Sequence, residues 1–193
     1  MSAELGSIDA EKRRLRVEFG ARRRGLAPSL ARDAGYACFA NLAPILPLRG
    51  FVALTLPMRG EIDLATPALE TLGDRVALIA MRDDGTLTCT RPSAPRSADE
   101  GPLRAPSADG DTIPGALLAA VLVPGVAFAP DGTRLGRGGG YFDRFLATVT
   151  NRALFVGTCY DWQVVESLPR LPHDVGMSHV ATDLRLLRVP TPV

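Results

Sequence analysis

The chain has 193 residues, 46% of them hydrophobic and 22% charged, with a formal net charge of +1 at pH 7. That composition suits one globular core of ordinary size, and near-neutrality argues against a polyanion as the main partner, because dedicated nucleic-acid binders carry a clear basic excess. No apolar run is long enough to span a membrane and the charged N-terminal stretch lacks the apolar centre of a signal peptide, so a soluble, cytoplasmic protein with no membrane partner is expected.

Residues 9–24 read as a helix. Arginine supplies nearly all the basic charge, and Lys12 is the only lysine. A lysine ammonium is a compact, mobile point charge suited to a phosphate oxygen, whereas arginine is a planar fork. Lys12 and Arg16 are four apart and share a helical face, while Leu15, Phe19 and Leu26 mark the packed side. Arg22, Arg23 and Arg24 extend the basic run, which reads equally as a solvated helix face or a nucleic-acid patch.

Pro28-Ser29 opens a second helix towards Asn41, ended by Pro44 and Pro47. Phe51 to Leu56 reads as a strand, Thr66 to Leu72 as a short helix after its Thr-Pro start, and Arg75 to Ala80 as a strand; Thr86 to Thr90 reads as a short strand. This alternation is that of an α/β fold. Glu61 falls just past the first strand, where open α/β sheets place ligand contacts, although an exposed turn glutamate would sit there too. From Arg91 to Gly115 the chain is rich in proline, serine, alanine and glycine without periodicity, as in a mobile lid or a poorly ordered insertion.

Ala119 to Val123 is continuously apolar and closed by Pro124-Gly125, the pattern of a strand buried on both faces. A glycine-rich loop studded with arginines follows, from Arg134 to Arg144. Beyond it Phe142, Phe145, Leu146 and Val149 recur at helical spacing, so the loop feeds a helix. Glycines let the backbone approach a ligand, and free N–H groups with the positive end of a helix dipole favour an anion. Arg134, Arg137 and Arg144 add positive charge. The loop is neither a P-loop, which ends in Gly-Lys-Ser/Thr, nor a dinucleotide fingerprint, because its order is Gly136-x-Gly138-x-Gly140 followed by Tyr141.

Asp143, at the loop–helix junction, suits magnesium beside nucleotide phosphates or a helix cap. Asp174, in Pro172-His173-Asp174, is a second carboxylate for that metal or a turn residue. Ala153 to Thr158 reads as a strand, Gln163 to Leu168 as a short helix, and Ser178 to Ala181 and Arg185 to Val189 as strands. Cys38, Cys89 and Cys159 are an odd, widely spaced set that fits neither a disulfide framework nor zinc, and buried thiols are expected. His173 and His179, the only histidines, complete no nucleophile triad and are expected on the surface or in loops.

Taken together these motifs resemble the 5-formyltetrahydrofolate cyclo-ligases, also called methenyltetrahydrofolate synthetases. The resemblance spans most of the chain: Lys12-x-x-Leu15-Arg16 with the arginines at 22–24, Glu61-Ile62-Asp63, and the long stretch from Val123 through Asp131-Gly132-Thr133 to Arg144. Towards the C-terminus, Gln163-Val164-Val165, Leu168-Pro169, His173-Asp174 and Val180-Ala181-Thr182 look like the family's closing segments. It implies one domain over residues 1–193, a three-layer αβα sandwich with a mixed, mostly parallel sheet, NagB/RpiA/CoA-transferase-like. It also implies an ATP- and magnesium-dependent ring closure of 5-formyltetrahydrofolate to 5,10-methenyltetrahydrofolate, with ADP and phosphate released.

On that resemblance ATP is carried by Lys12, Arg16, Arg134, Leu135, Gly136, Arg137, Gly138, Gly139, Gly140, Tyr141 and Phe142, and the metal by Asp143 and Asp174. Folate falls to Leu56 and Glu61 with Arg137, Gly138, Gly139, Gly140 and Tyr141; Lys12, Arg16, Arg137 and Tyr141 act in catalysis. A monomer is expected, with folate and ATP as partners and no nucleic acid. Phe142 stands where the family usually has a second tyrosine, and Leu78-Ile79 and Ala105-Pro106 replace its Leu-Pro and Glu-Pro. The divergent middle segment leaves open a paralogue that keeps ATP but acts on another small substrate, and the basic run leaves open a non-catalytic nucleic-acid or regulatory binding protein using Arg22 to Arg24.

Overall fold

The computed structural model describes residues 2–92, 111–150 and 152–190, with side chains from residue 6 onward. The helices are α1 (Ser2–Arg24), α2 (Pro28–Leu42), α3 (Ala65–Leu72) and α4 (Tyr141–Leu146). The strands are β1 (Phe51–Leu54), β2 (Val76–Met81), β3 (Leu87–Thr90), β4 (Leu118–Pro124), β5 (Ala127–Phe128), β6 (Arg134–Leu135), β7 (Leu154–Cys159), β8 (His179–Thr182) and β9 (Leu186–Arg188). The expected long segment at 91–115 falls largely on residues 93–110, outside the described residues, as does Ala105-Pro106.

Seven strands form one sheet in the order β3-β2-β1-β4-β7-β8-β9, and β5 pairs with β6 in a separate hairpin. The inner strands β2, β1, β4, β7 and β8 are parallel, and β3 and β9 close the edges antiparallel. The sheet is therefore mixed and mostly parallel, as expected. Its apolar runs are continuous because both faces are covered. Val52, Leu54, Val76, Leu78, Ala120 and Leu122 pack with Phe39 and Leu42 of α2 and Ala68 of α3. Their neighbours Ala53, Ala77, Ile79, Val121 and Val123 pack on the other face with Phe128, Phe145 and Leu146.

Helix α1 stands outside these layers. Leu15 and Phe19 pack against Val126, Ala127, Leu135 and Leu168, so α1 lies on the β5–β6 hairpin rather than on the sheet. Two-residue strands carry no periodicity, and the hairpin was not among the expected elements. Its turn is held by Asp131, which accepts hydrogen bonds from the Thr133 N–H (2.8 Å) and hydroxyl (3.0 Å).

Three local expectations are corrected. The short helix at Gln163–Leu168 is a single 3₁₀ turn over Asp161–Gln163. Beyond it the Val165 N–H donates to Phe128 O (2.9 Å), while the Gln163 amide donates to Val126 O (2.7 Å) and accepts from the Tyr160 N–H (3.1 Å). Bonds to the hairpin thus outweigh local helix propensity. Strand β1 ends at Leu54, two residues early. His179 lies half-buried on β8 rather than in a loop, whereas the three cysteines are free and buried, as expected.

From β1 the chain adds β2 on one side and later β4 on the other. The carboxyl ends of β1 and β4 therefore part at a topological switch point, the usual ligand crevice of an open α/β sheet. Among the described residues no helix is long and apolar enough to cross a membrane.

Candidate active site

A cavity of about 670 Å³ opens over that switch point. Thr55 and Leu56 enter it from the end of β1, and Pro124 and Gly125 from the end of β4; α1 contributes Lys12 and Arg16. The glycine-rich loop lines it from Gly136 through Asp143, and Asp174 closes the wall. All the expected site residues meet here except Leu135. That side chain is 1% exposed and belongs to the cluster under α1, so it stands behind the wall.

The two flanks of the cavity differ chemically. On the β1–β3 side Leu56, Ile79, Met81 and Leu87 are apolar, whereas α1 and the glycine-rich loop bring the charges. The contribution of β2 and β3 was not anticipated, because these residues read simply as strand core.

The lysine and each arginine of the wall have a definite partner. Lys12, 4% exposed, donates to Asp174 Oδ2 at 2.6 Å. Arg16 Nε donates to Gly136 O at 2.9 Å and so pins the loop backbone. Arg134, 7% exposed, spans both oxygens of Asp143 at 3.1 Å and lies over the Phe142 ring. Its charge is paired within the cavity wall, as that of Lys12 is with Asp174. Arg137 is half exposed and donates to Glu61 Oε1 at 2.6 Å.

The loop owes its shape to glycine. Gly138 (φ +104°) and Gly140 (φ +65°) take left-handed conformations that residues with a Cβ adopt only with strain. Successive N–H groups in such turns form an anion-binding concavity. Helix α4 is only six residues long, so its dipole adds little. The positive charge on this side of the cavity comes instead from side chains, among them Lys12, Arg16 and Arg137.

The loop after β8's partner β7 brings the two carboxylates together. Val175, which follows Asp174, donates its N–H to Asp143 Oδ1 at 3.2 Å, and the Leu171 N–H donates to Asp174 Oδ2 at 2.7 Å. Burial pushes the Asp174 carboxyl up, but the bonds from Lys12 and Leu171 and the Lys12 charge outweigh it and hold the group below the usual carboxylate value. Among the described residues no group of three or more acidic, histidine or cysteine side chains forms a ready-made metal cage. Two carboxylates, Asp143 and Asp174, on one wall of this cavity fit magnesium, which keeps several waters and takes phosphate oxygens for the rest.

Sequence reasoning missed Arg23. It is 8% exposed in the last turn of α1, with its guanidinium NH1 3.3 Å from Glu61 Oε1 and 3.3 Å from Gly125 O. Burial lowers its pKa and the Glu61 charge opposes that shift. Nearby, Arg22 stacks on Trp162 with its guanidinium carbon 4.1 Å from the ring centroid. Arg23 is thus buried between two exposed arginines, Arg22 and Arg24.

The description "5-formyltetrahydrofolate cyclo-ligase family" belongs to the family model that matches residues 55–183. The 5-formyltetrahydrofolate cyclo-ligase of Escherichia coli (strain K12) is 31% identical over 172 residues, covering 83% of this chain and 94% of that protein. The Mycolicibacterium smegmatis protein of the same name is 40% identical over 65 residues, a stretch that spans 34% of each chain. The NMR structure of Aquifex aeolicus 5,10-methenyltetrahydrofolate synthetase superposes with a TM-score of 0.75 at 30% identity, covering 94% of both chains. A 5,10-methenyltetrahydrofolate synthetase from Mycoplasma pneumoniae shares the fold at 22% identity, with a TM-score of 0.70 over 90% of this chain and 99% of the other.

Proposed function

Because the chain belongs to the 5-formyltetrahydrofolate cyclo-ligase family and is thus a ligase, we propose that it converts 5-formyltetrahydrofolate to 5,10-methenyltetrahydrofolate, using ATP and magnesium and releasing ADP and phosphate. The observation that carries this reading is one cavity joining two kinds of wall. A glycine cradle with Lys12, Arg16, Arg137 and two carboxylates lies beside apolar Leu56, Ile79, Met81 and Leu87. The first suits a triphosphate and the second a flat, largely apolar ring system.

The chemistry explains why both are needed. A formamide oxygen is a poor leaving group. Transfer of the terminal phosphoryl group to that oxygen turns it into phosphate, which departs when the neighbouring N10 bonds to the formyl carbon. No nucleophile from the protein is required. Phosphoryl transfer depends on positioning and on neutralising charge, which falls to Lys12, Arg137 and the loop N–H groups. Magnesium bound, Asp143 and Asp174 would hold a charge that screens the phosphates. Tyr141, 41% exposed with its ring against Gly139, covers the loop beside the reacting groups, and Glu61 orients the pterin by hydrogen bonding.

The test is absorbance of methenyltetrahydrofolate formed from 5-formyltetrahydrofolate, with Asp143→Ala and a reaction lacking ATP alongside. Product only with ATP and intact Asp143 upholds the reading. A folded protein that binds ATP yet forms no product would favour a paralogue acting on another small substrate.

A further inference from the structure

Beneath Glu61 lies a second, smaller chamber of about 20 Å³, lined by Arg23, Thr55, Glu61, Thr158 and Gln163 together with apolar side chains. It shares Thr55, Glu61, Pro124 and Gly125 with the large cavity and so forms its floor at the switch point. That volume holds one water molecule, which needs about 10–15 Å³ and several polar partners. A donor is already in place: Arg23 Nε is buried and has no hydrogen-bond partner among the described residues. Buried donors nearly always have a partner, in the protein or in ordered water.

Glu61 sits between two unlike arginines. Arg137 on the loop is half exposed, whereas the Arg23 side chain is 10% exposed. Arg23 is held at the end of its guanidinium and at its backbone. Its NH1 faces both Glu61 and Gly125 O, and its backbone oxygen is covered by Gly60, where an added Cβ would come within 2.4 Å. Arg137 is free to leave for a phosphate; Arg23 is not. The Met58 N–H donates to the other Glu61 oxygen at 3.0 Å and completes the clamp.

We propose that Arg23 is a positioning residue for the folate half of the reaction: with one water in the floor chamber, it holds the Glu61 carboxylate in place when Arg137 turns to the nucleotide. The proposal rests on Glu61 being the folate contact. Arg23 touches neither substrate and acts only through Glu61. Its loss should therefore be felt by folate and not by ATP, and only while Glu61 is present.

Kinetics in Arg23→Met, Arg23→Lys, Glu61→Gln and the Arg23→Met/Glu61→Gln double variant test this. Folding is followed through Trp162, the only tryptophan, whose ring stacks on Phe19 of α1 at 5.9 Å. The KM for 5-formyltetrahydrofolate should rise about tenfold in Arg23→Met, while that for ATP stays within about twofold. The double variant should be no worse than Glu61→Gln alone, because the two residues act as one unit. Lysine keeps the charge but not the forked donor set, so Arg23→Lys should recover about half of the loss on a logarithmic scale. If Arg23→Met does not fold, the smaller selective rise in Arg23→Lys decides in its place. Equal rises in both KM values, or independent multiplication of the two single effects, would overturn the positioning role while leaving the cyclo-ligase reading intact. Absence of turnover in the wild-type protein would instead defeat that reading, and this proposal with it.

Discussion

Lys12 Nζ donates to Asp174 Oδ2 across 2.6 Å, so the only lysine in the chain is neutralised by a carboxylate of the same cavity wall. The pair is 6% and 14% exposed, and each partner depends on the other. Replacing Lys12 with alanine strands a largely buried carboxylate. The expected cost is about 1–3 kcal/mol of stability, with a rise of at least about tenfold in the KM for ATP. Urea unfolding and steady-state kinetics check the two effects separately, and an unchanged KM for ATP would remove Lys12 from the phosphate cradle.

The same pair has a pH signature. The Asp174 carboxyl titrates below its ordinary value of 3.8: burial works against this, and the bonds from Lys12 and Leu171 prevail. A folded-state value lower than the unfolded one gives stability that is complete above about pH 4 and is lost as pH falls through the lowered value. Urea midpoints of the wild-type protein and Asp174→Asn should therefore differ most near neutral pH and converge as the pH falls below 3.8 and through the lowered value. A gap that stays constant over that range would show that the pair contributes nothing.

Asp143 is expected to have two duties, pairing Arg134 and holding magnesium. In Asp143→Asn the magnesium needed for half-maximal activity should rise about tenfold or more, and melting should fall because the buried Arg134 loses its ionised partner. Saturating magnesium should restore part of the rate. A variant with normal magnesium dependence but lowered melting would leave Asp143 as a structural anion only.

Burial pushes the Cys38 and Cys89 thiols up to about 12 and raises Cys159 well above its ordinary value. Thiolate is the reactive form, so the folded protein should give almost no colour with an aromatic disulfide reagent near pH 8. All three cysteines should react after unfolding in urea. Rapid reaction of the native protein would contradict the packing around them.

The Phe128 ring lies so close to two glycines that a Cβ at Gly157 would approach it to 2.4 Å and one at Gly125 to 2.5 Å. Gly157→Ala should destabilise the protein by about 1–3 kcal/mol through overpacking. Adding Phe128→Leu should recover part of the loss, read as thermal melting. No loss in the single variant would show that the ring has room to move.

The parallel strands were legible because burial on both faces writes itself as runs such as Ala119 to Val123, and the cradle was legible because its glycines are contiguous. Arg23 was not. A buried cation in Arg22 to Arg24 looks like any solvated run until Glu61 and Gly125, 38 and 102 residues away, are placed beside it. Gln163 misled for a related reason: its local spacing is helical, but its amide serves Gly125 and Val126 from another element. The apolar flank formed by Ile79, Met81 and Leu87 stayed hidden because residues facing a cavity and residues facing a helix obey the same alternation.

Helix α1 docks on a surface that is translated long after it. Its apolar contacts are with residues 126–135 and Leu168, and its lysine waits for Asp174. On an emerging chain this helix therefore has nowhere to settle until nearly the whole sheet is out, and it carries its cations free in the meantime. Docking of this helix on the glycine-rich loop is consequently expected to be a late folding event with high contact order, and slow closure its kinetic mark. A truncated product ending before residue 168 would possess the glycine loop and the basic helix yet be unable to join them.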